Sequence, residues 1–352
     1  KTIVEPEDIA DSILGCVLAV DVVAEEDIPN FDASIVDGYA VGSIGEDRVI
    51  DEEKCGPLKW EFVHGRNTAG KPNVALLDKG QCCYVTTGAR LPGNTVAVIP
   101  EENGLVLEEL PYAKLEIDPA NKIVVKKNMN VRPAGSDTKK REVVFQRGTV
   151  LNAGELGMLS MLGYGKKQVT VYRPPRVVVF SAGDELVDPN QLSTLLPGMV
   201  FDANRTTLMH LVEESGGRGI NGGLWSDDNA EKIKAKILSD DYDVIVLTGG
   251  VSRGTKDFVK PMLEELGTVH FGEMCMKPGK PTTFATIEFS NADAPKYVFG
   301  LPGNPVSAFC TFKLLVHPLL QLMRGIDLDN IHLPKVEVLS AHAITPDHLR
   351  PE

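Results

Sequence analysis

The chain has 352 residues, too many for one hydrophobic core of ordinary size, and its 43% hydrophobic and 24% charged residues are the proportions of globular domains. With 36 basic against 49 acidic residues the formal net charge is −13, which argues against a nucleic-acid or anionic-membrane surface. No apolar run is read as long enough to span a bilayer and no signal-peptide pattern opens the sequence, so the expected setting is cytoplasmic, with two to four domains.

Residues 5–18 carry Ile9, Ile13, Leu14 and Val17 at helical spacing and predict an amphipathic helix. Asp37-Gly38 is turn chemistry before a strand-like Tyr39-Ala40-Val41, and Asp37 by itself reads as a turn former. Residues 43–134 change character: short β-like runs such as 81–87 and 96–99 are punctuated by Gly and Pro, which predicts a small, mostly β domain. A helix over 154–162 and a strand over 168–172 follow. The β block therefore reads as an insertion into a linker domain made of 1–42 plus 135–173. The six cysteines (Cys16, Cys55, Cys82, Cys83, Cys275 and Cys310) form no C-x-x-C pair and no zinc spacing with the seven histidines. Reduced thiols are expected, with Cys82 and Cys83 on opposite faces of a strand.

Residues 174–326 alternate strand and helix. Strands are expected at 177–180, 244–247 and 297–299, and helices at 204–214, 229–238 and 306–323. Asp202 is placed to cap the helix at 204. This alternation predicts a doubly wound α/β domain, whose ligands sit beyond the carboxyl ends of the strands. The loops 181–185, 248–257 and 301–305 all follow strands and are expected on one rim. Gly249, Gly250 and Gly254 permit close backbone approach, and N–H groups in such a turn bind oxyanions. Asp257 reads either as a cap of the next helix or as a ligand. Asp184, Glu185 and Asp257 clustered beside a phosphate-binding turn suggest Mg²⁺. Lys277 and Lys280, in Met276-Lys-Pro-Gly-Lys-Pro281, read either as solvated turn lysines or as cations facing an oxyanion. Residues 327–352 begin a further β segment.

Taken together the chain resembles the gephyrin/MoeA family, the molybdenum insertases of molybdenum cofactor synthesis. The resemblance rests on Ser34-Ile-Val-Asp-Gly-Tyr-Ala-Val41, Val85-Thr-Thr-Gly-Ala-Arg-Leu-Pro92, Asn130-Val-Arg-Pro-Ala-Gly-Ser-Asp137, Ser181-Ala-Gly-Asp-Glu-Leu-Val187 and Asp202-Ala-Asn-Arg205. Thr248-Gly-Gly-Val-Ser252 with Asp257, the 276–281 motif and Leu301-Pro-Gly-Asn-Pro-Val-Ser307 complete it, all in family order. It implies a multi-domain, elongated α/β plus β chain: the inserted β domain at 43–134, a MogA/MoaB-like three-layer α/β domain at 174–326 and a truncated C-terminal β domain at 327–352. It implies a homodimer whose cleft is shared, with no nucleic acid and no membrane span. The implied activity takes adenylylated molybdopterin and molybdate and releases AMP and molybdenum cofactor with Mg²⁺. Catalytic positions carried over are Asp37, Thr87, Asp137, Glu185, Asp202 and Asp257, with Glu185 and Asp257 at the metal. Positions carried over for the pterin and the anion are Gly249, Gly250, Ser252, Lys277, Lys280, Pro302, Pro305 and Ser307.

The sequence departs from the family at four places. Glu273 stands where the family carries Lys or Arg, Thr95 where it has Asp, and Ala182 where it has a hydroxyl; the sequence also ends where the family continues into a fourth domain. A carboxylate about 4 Å from molybdate repels it by roughly 4 kcal/mol before screening at an effective dielectric near 20. Two readings follow: a molybdenum transferase with an altered anion site, or a non-catalytic homodimeric scaffold that binds a protein partner.

Overall fold

The structure, a computed structural model, describes residues 2–4, 13–44, 59–107, 113–117, 125–165, 169–191, 194–225, 230–239, 242–250, 259–289 and 294–331, with 337 and 339. The chain forms two compact units, Asp21–Phe145 and a discontinuous one of Lys1–Val20 with Gln146–Glu352.

The unit Asp21–Phe145 is built on a mixed six-stranded sheet. Its strands are β1 (Gly38–Val41), β2 (Lys59–Asn67), β3 (Gln81–Val85), β4 (Ala97–Pro100), β5 (Gly104–Leu107) and β6 (Lys114–Ile117), in the order β4-β1-β3-β2-β6-β5. Alternation sets two cores. Tyr39, Val41, Trp60, Cys82, Ala97, Ile99 and Leu115 bury on one face, and Ala40, Cys83, Val85 and Val98 on the other, against Val74, Leu77 and Leu91. Cys82 and Cys83 thus face opposite ways, as their adjacency in a strand predicts. Both are unbridged, and burial raises both thiols, Cys83 to about 12.

The boundary of this unit differs from the sequence reading. β1 lies before residue 43, yet it pairs antiparallel with both β3 and β4. Two short ladders, Val22–Val23 with Val143–Phe145 and Ala33–Ser34 with Val131–Arg132, bring both flanks into the same unit. The compact unit that holds the α/β domain also includes residues 1–20 and 146–173. Such pairings join segments about a hundred residues apart, which local pattern does not encode. The helix expected over 5–18 is overturned at its end: Ile13, Leu14 and Gly15 form a turn, and Val17–Leu18 is a strand antiparallel to Val169–Tyr172. Residues 5–12 lie outside the described residues.

The other unit carries a second six-stranded sheet: β7 (Arg176–Ala182), β8 (Arg218–Trp225), β9 (Val244–Thr248), β10 (Thr268–Phe271), β11 (Thr283–Ile287) and β12 (Lys296–Leu301). The order is β8-β7-β9-β12-β11-β10; the first four strands are parallel, β11 runs antiparallel to β12, and β10, antiparallel to β11, runs in the direction of the first four. Its helices are α1 (Ala153–Met161), α2 (Asn204–Glu214), α3 (Ala230–Leu238), α4 (Val259–Leu266) and α5 (Pro305–Met323). Three layers follow from period two. Val178, Phe180, Ile245, Leu247 and Val298 meet Ile237 of α3 with Val259 and Leu263 of α4; Val177, Val179, Val244, Val246 and Phe299 meet Leu208, Leu211 and Val212 of α2 with Phe312, Val316 and Leu320 of α5.

Helix α5 corrects another expectation. By length and mean hydropathy it is long and apolar enough to cross a membrane. Its fully buried Phe312, Val316 and Leu320, one turn apart, are packed into the sheet core. Asn304 caps it by accepting the Ser307 N–H, and Pro305 occupies the first turn. Its middle, Phe312–Val316, is a π turn, in which the His317 N–H reaches Phe312 O. Pro318 sits next along, and its missing N–H and ring are accommodated by this local widening.

His317 gives this packing a pH dependence. Ser215 Oγ donates to Leu211 O at 2.6 Å, so His317 Nδ1, 2.9 Å away, is the donor to Ser215 and the second proton must enter at Nε2. Burial, with Lys313 and Arg324 nearby, holds the imidazole below its ordinary value of 6.5. The unfolded chain therefore binds this proton more readily than the folded one, and stability falls as pH drops below about 6.5. Urea unfolding at pH 7.5 and 5.0 is expected to show a larger acid loss for the wild type than for His317→Gln. Equal losses would remove His317 from the account.

Candidate functional site at the carboxyl rim of the parallel sheet

The strand order reverses between β7 and β9: after β7 the chain adds β8 on one side and then β9 on the other. A crevice at such a switch point is where doubly wound sheets bind ligands. The loops after β7, β9 and β12 meet there through Asn204, at the start of α2. Its amide donates to Thr248 Oγ1 at 2.9 Å and to Gly303 O at 2.8 Å, while Thr248 Oγ1 donates to Pro302 O at 3.1 Å. The Gly249 N–H donates to Leu301 O at 3.1 Å. Asn204 and Thr248 lie inside two of the family motifs, and a polar residue in the first turn of a helix after a strand is the local signal for such a tie.

Gly249 has φ +83°, and a Cβ there would lie 2.1 Å from Ala182 O, so the turn after β9 is pressed against the end of β7. Gly183 is covered by the Glu185 carboxylate, whose oxygens a Cβ at 183 would meet at 2.8 Å. Pro302 is buried, whereas Glu185, Gly303, Pro305 and part of Ser307 face outward. The Lys-Pro-Gly-Lys loop is seated on α5, with the Gly279 Cβ position 2.6 Å from the Thr311 methyl. Lys277, Lys280 and Glu273 are all exposed on or beside this loop, which the Met274 N–H closes by donating to Lys280 O at 2.8 Å. Ser252 and Asp257 lie outside the described residues.

Asp202 caps the first turn of α2, as its position in the sequence suggests, and also braces it. It is 3% exposed; its Oδ1 accepts from Ser181 Oγ at 2.9 Å and from the Arg205 N–H at 3.2 Å. Its Oδ2 lies 3.1 Å from Arg205 Nε, an ion pair without hydrogen-bond alignment. Arg205, itself buried, also donates to Asp188 Oδ2 at 2.6 Å. The Asn190 N–H and then Arg205 hold the Asp188 carboxyl below its ordinary range. This buried pairing fixes α2 to the end of β7.

In the Asp21–Phe145 unit, Asp37 and Thr87 meet: Asp37 Oδ1 accepts the Thr87 N–H at 2.6 Å and its hydroxyl at 3.0 Å. Those two bonds lower the Asp37 pKa, so the exposed carboxylate is charged at neutral pH. Asp137 makes its contacts elsewhere, with Arg132 and Ser136, and the hydrogen bond from Arg132 lowers its pKa.

The rim suits an oxyanion-bearing ligand. It offers turn backbone, two lysines on a seated loop, and the exposed carboxylates of Asp184 and Glu185. Among the described residues no group of three His, Cys, Asp or Glu side chains is placed to cage a metal.

Gly249→Ala tests this packing. The left-handed backbone alone costs about 1–3 kcal/mol for a residue with a Cβ. Gly198, at φ +89° with nothing within 4 Å of its Cβ position, supplies the control. Gly249→Ala is expected to destabilise more than Gly198→Ala in chemical denaturation; equal losses would mean that the β7–β9 contact contributes nothing.

Two family profiles cover most of the chain: the MoeA N-terminal region (domain I and II) over residues 1–163, and a probable molybdopterin binding domain over residues 178–322. A molybdopterin molybdenumtransferase of Haemophilus influenzae is 36% identical over 310 residues, 88% of this chain and 70% of the relative. Gephyrin of Dictyostelium discoideum is 34% identical over 371 residues, 96% of this chain but only 50% of the relative, so the chain spans half of that protein's length. The crystal structure of the molybdopterin biosynthesis MoeA protein of Pyrococcus horikoshii superposes with a TM-score of 0.73 at 32% identity, covering 92% of this chain and 75% of that one. Fold, order of motifs and coverage agree, and the chain belongs to the MoeA/gephyrin family of molybdenum cofactor biosynthesis.

Proposed function

We propose that this protein is a molybdopterin molybdenumtransferase: it binds adenylylated molybdopterin and molybdate, and releases AMP as the metal is inserted. The observation that carries this reading is the bonding of Asn204 to Thr248 and Gly303, which holds the turns after β9 and β12 together at the switch point. In this reading the Gly249–Gly250 turn and Lys277 and Lys280 hold the phosphate and the oxyanion, with Ser252, Pro302, Pro305 and Ser307 shaping the pocket. Glu185 and Asp257 hold Mg²⁺, which when bound supplies neutralising charge beside the phosphates. Asp202 acts through Arg205 and Ser181 as a positioning residue. Asp37, Thr87 and Asp137 belong to the same reaction in a homodimer, where one protomer's Asp21–Phe145 unit serves its partner's rim. Purified protein, adenylylated molybdopterin, molybdate and Mg²⁺ are expected to yield AMP and active cofactor, and Lys277→Ala is expected to reduce the rate at least tenfold. No AMP release by a protein that light scattering shows to be dimeric would count for the scaffold reading, in which the same dimer binds a protein partner.

Glu273 is the observation that favours that second reading. It is exposed beside the loop of Lys277 and Lys280, so its charge opposes an anion there, with a strength reduced by solvent. Glu273→Lys is expected to tighten tungstate binding about tenfold in a low-salt titration, less as salt rises. Unchanged affinity would place Glu273 outside the anion site and remove the main argument against catalysis.

A further inference from the structure

The sheet has a second end. At the start of β7 and β8, opposite the rim, lies a cavity of about 620 Å³ lined by segments around Gly15–Cys16 and Val150, the C-terminal turn of α2, and four arginines: Arg173, Arg176, Arg218 and Arg324. Two acids also line it, and both are engaged. Glu213 Oε1 accepts the Gly219 N–H at 2.7 Å, and Glu214 lies 3.5 Å from Lys313 Nζ. Arg173 grips Asp243 with two bonds of 2.8 and 2.9 Å, and Arg176 reaches the same carboxylate.

Arg324 is the unusual member. It is 9% exposed, and its hydrogen bonds go to neutral acceptors: Ser215 O at 3.1 Å, Gln321 Oε1 at 3.3 Å and Gly15 O. The neighbouring Cys16 does not offset the charge, because burial raises its thiol pKa and keeps it neutral. The guanidinium lies flat on Gly216, where a Cβ would come 2.1 Å from Cζ, so its position is fixed by backbone. The bland account is that Arg324 caps the carbonyl end of α2, whose dipole favours a cation. That end carries only about half an elementary charge, against a whole buried one. Burial accordingly lowers the Arg324 pKa from its ordinary range, and among the described residues no carboxylate bonds to it to offset this.

We infer that this cavity is a binding site for a small anion carrying a phosphate group, with Arg324 as its buried anchor and Arg218, Arg173 and Arg176 around it. Guanidinium forks suit phosphate oxygens, and the volume is that of a small-molecule pocket. The site is separate from the rim and does not rest on the proposed transferase reaction.

Pyrophosphate, titrated calorimetrically into the intact protein at low salt, is the probe, and citrate is the comparison anion. Wild type is expected to bind pyrophosphate at micromolar to millimolar concentration, and citrate at least tenfold more weakly. Arg218→Glu, at an exposed position on the cavity wall, is expected to weaken binding at least tenfold while leaving thermal unfolding in place. Arg324→Met is expected to abolish binding; should it fail to fold, Arg218→Glu decides. The rim variant Lys277→Ala/Lys280→Ala is expected to retain affinity within twofold. Absence of pyrophosphate binding, binding lost in the lysine variant but kept in Arg218→Glu, or citrate binding as tightly as pyrophosphate would each overturn the proposal.

Discussion

The structure of the larger unit depends on one strand that has no exposed side. Val244–Thr248 is buried at every residue, hydrogen-bonded to β7 on one edge and β12 on the other, and roofed by helices above and below. Its backbone groups are satisfied because a neighbour pairs in register on each edge, and here both neighbours run parallel to it. Parallel neighbours require crossovers, and crossovers supply the covering helices. The strand can then leave the core only at its carboxyl end, where Gly249 turns against Ala182. The candidate site is where that exit meets the exits of its two neighbours.

Helix α2 couples the two ends of this sheet. Asn204, at its start, ties the rim loops together, and Asp202 just before it pairs with buried Arg205. Ser215, at its other end, receives Arg324 and His317. Eleven residues at about 1.5 Å each separate the two by roughly 16 Å. The rim is assembled from neutral backbone with a few outward charges, which suits a ligand that arrives and leaves. The far cavity buries the Arg324 guanidinium, whose partners among the described residues are neutral acceptors. The two ends therefore differ in the physical means by which they attract negative charge.

The Asp21–Phe145 unit answers a different constraint. Its six-stranded sheet packs apolar side chains on both faces, and Trp60 meets its polar requirement by donating Nε1–H to Gly42 O at 2.9 Å. With both faces covered, its exposed polar contacts lie in the turns, where Thr87 presents two donors to one oxygen of Asp37.

The sequence by itself determined the elements whose pattern is local. The α2 helix falls at the residues its apolar spacing indicates, the buried strand is the short β-branched run at 244, and α5 starts at Pro305, one residue before the apolar run expected to form it. It also placed three strand-end loops on one rim, because alternation of strand and helix leaves doubly wound topology as the economical solution. Only the tertiary structure decided the rest. Val17–Leu18 became a strand because a partner 150 residues away was available, and β1 joined the β sheet for the same reason. Asn204 became the link between two loops, and Asp202 a buried counter-ion, because α2 docks on the end of β7. The arginine cavity was invisible beforehand: Gly15, Arg173, Arg218 and Arg324 are scattered over more than three hundred residues, and no periodicity records a meeting that nonlocal packing alone creates.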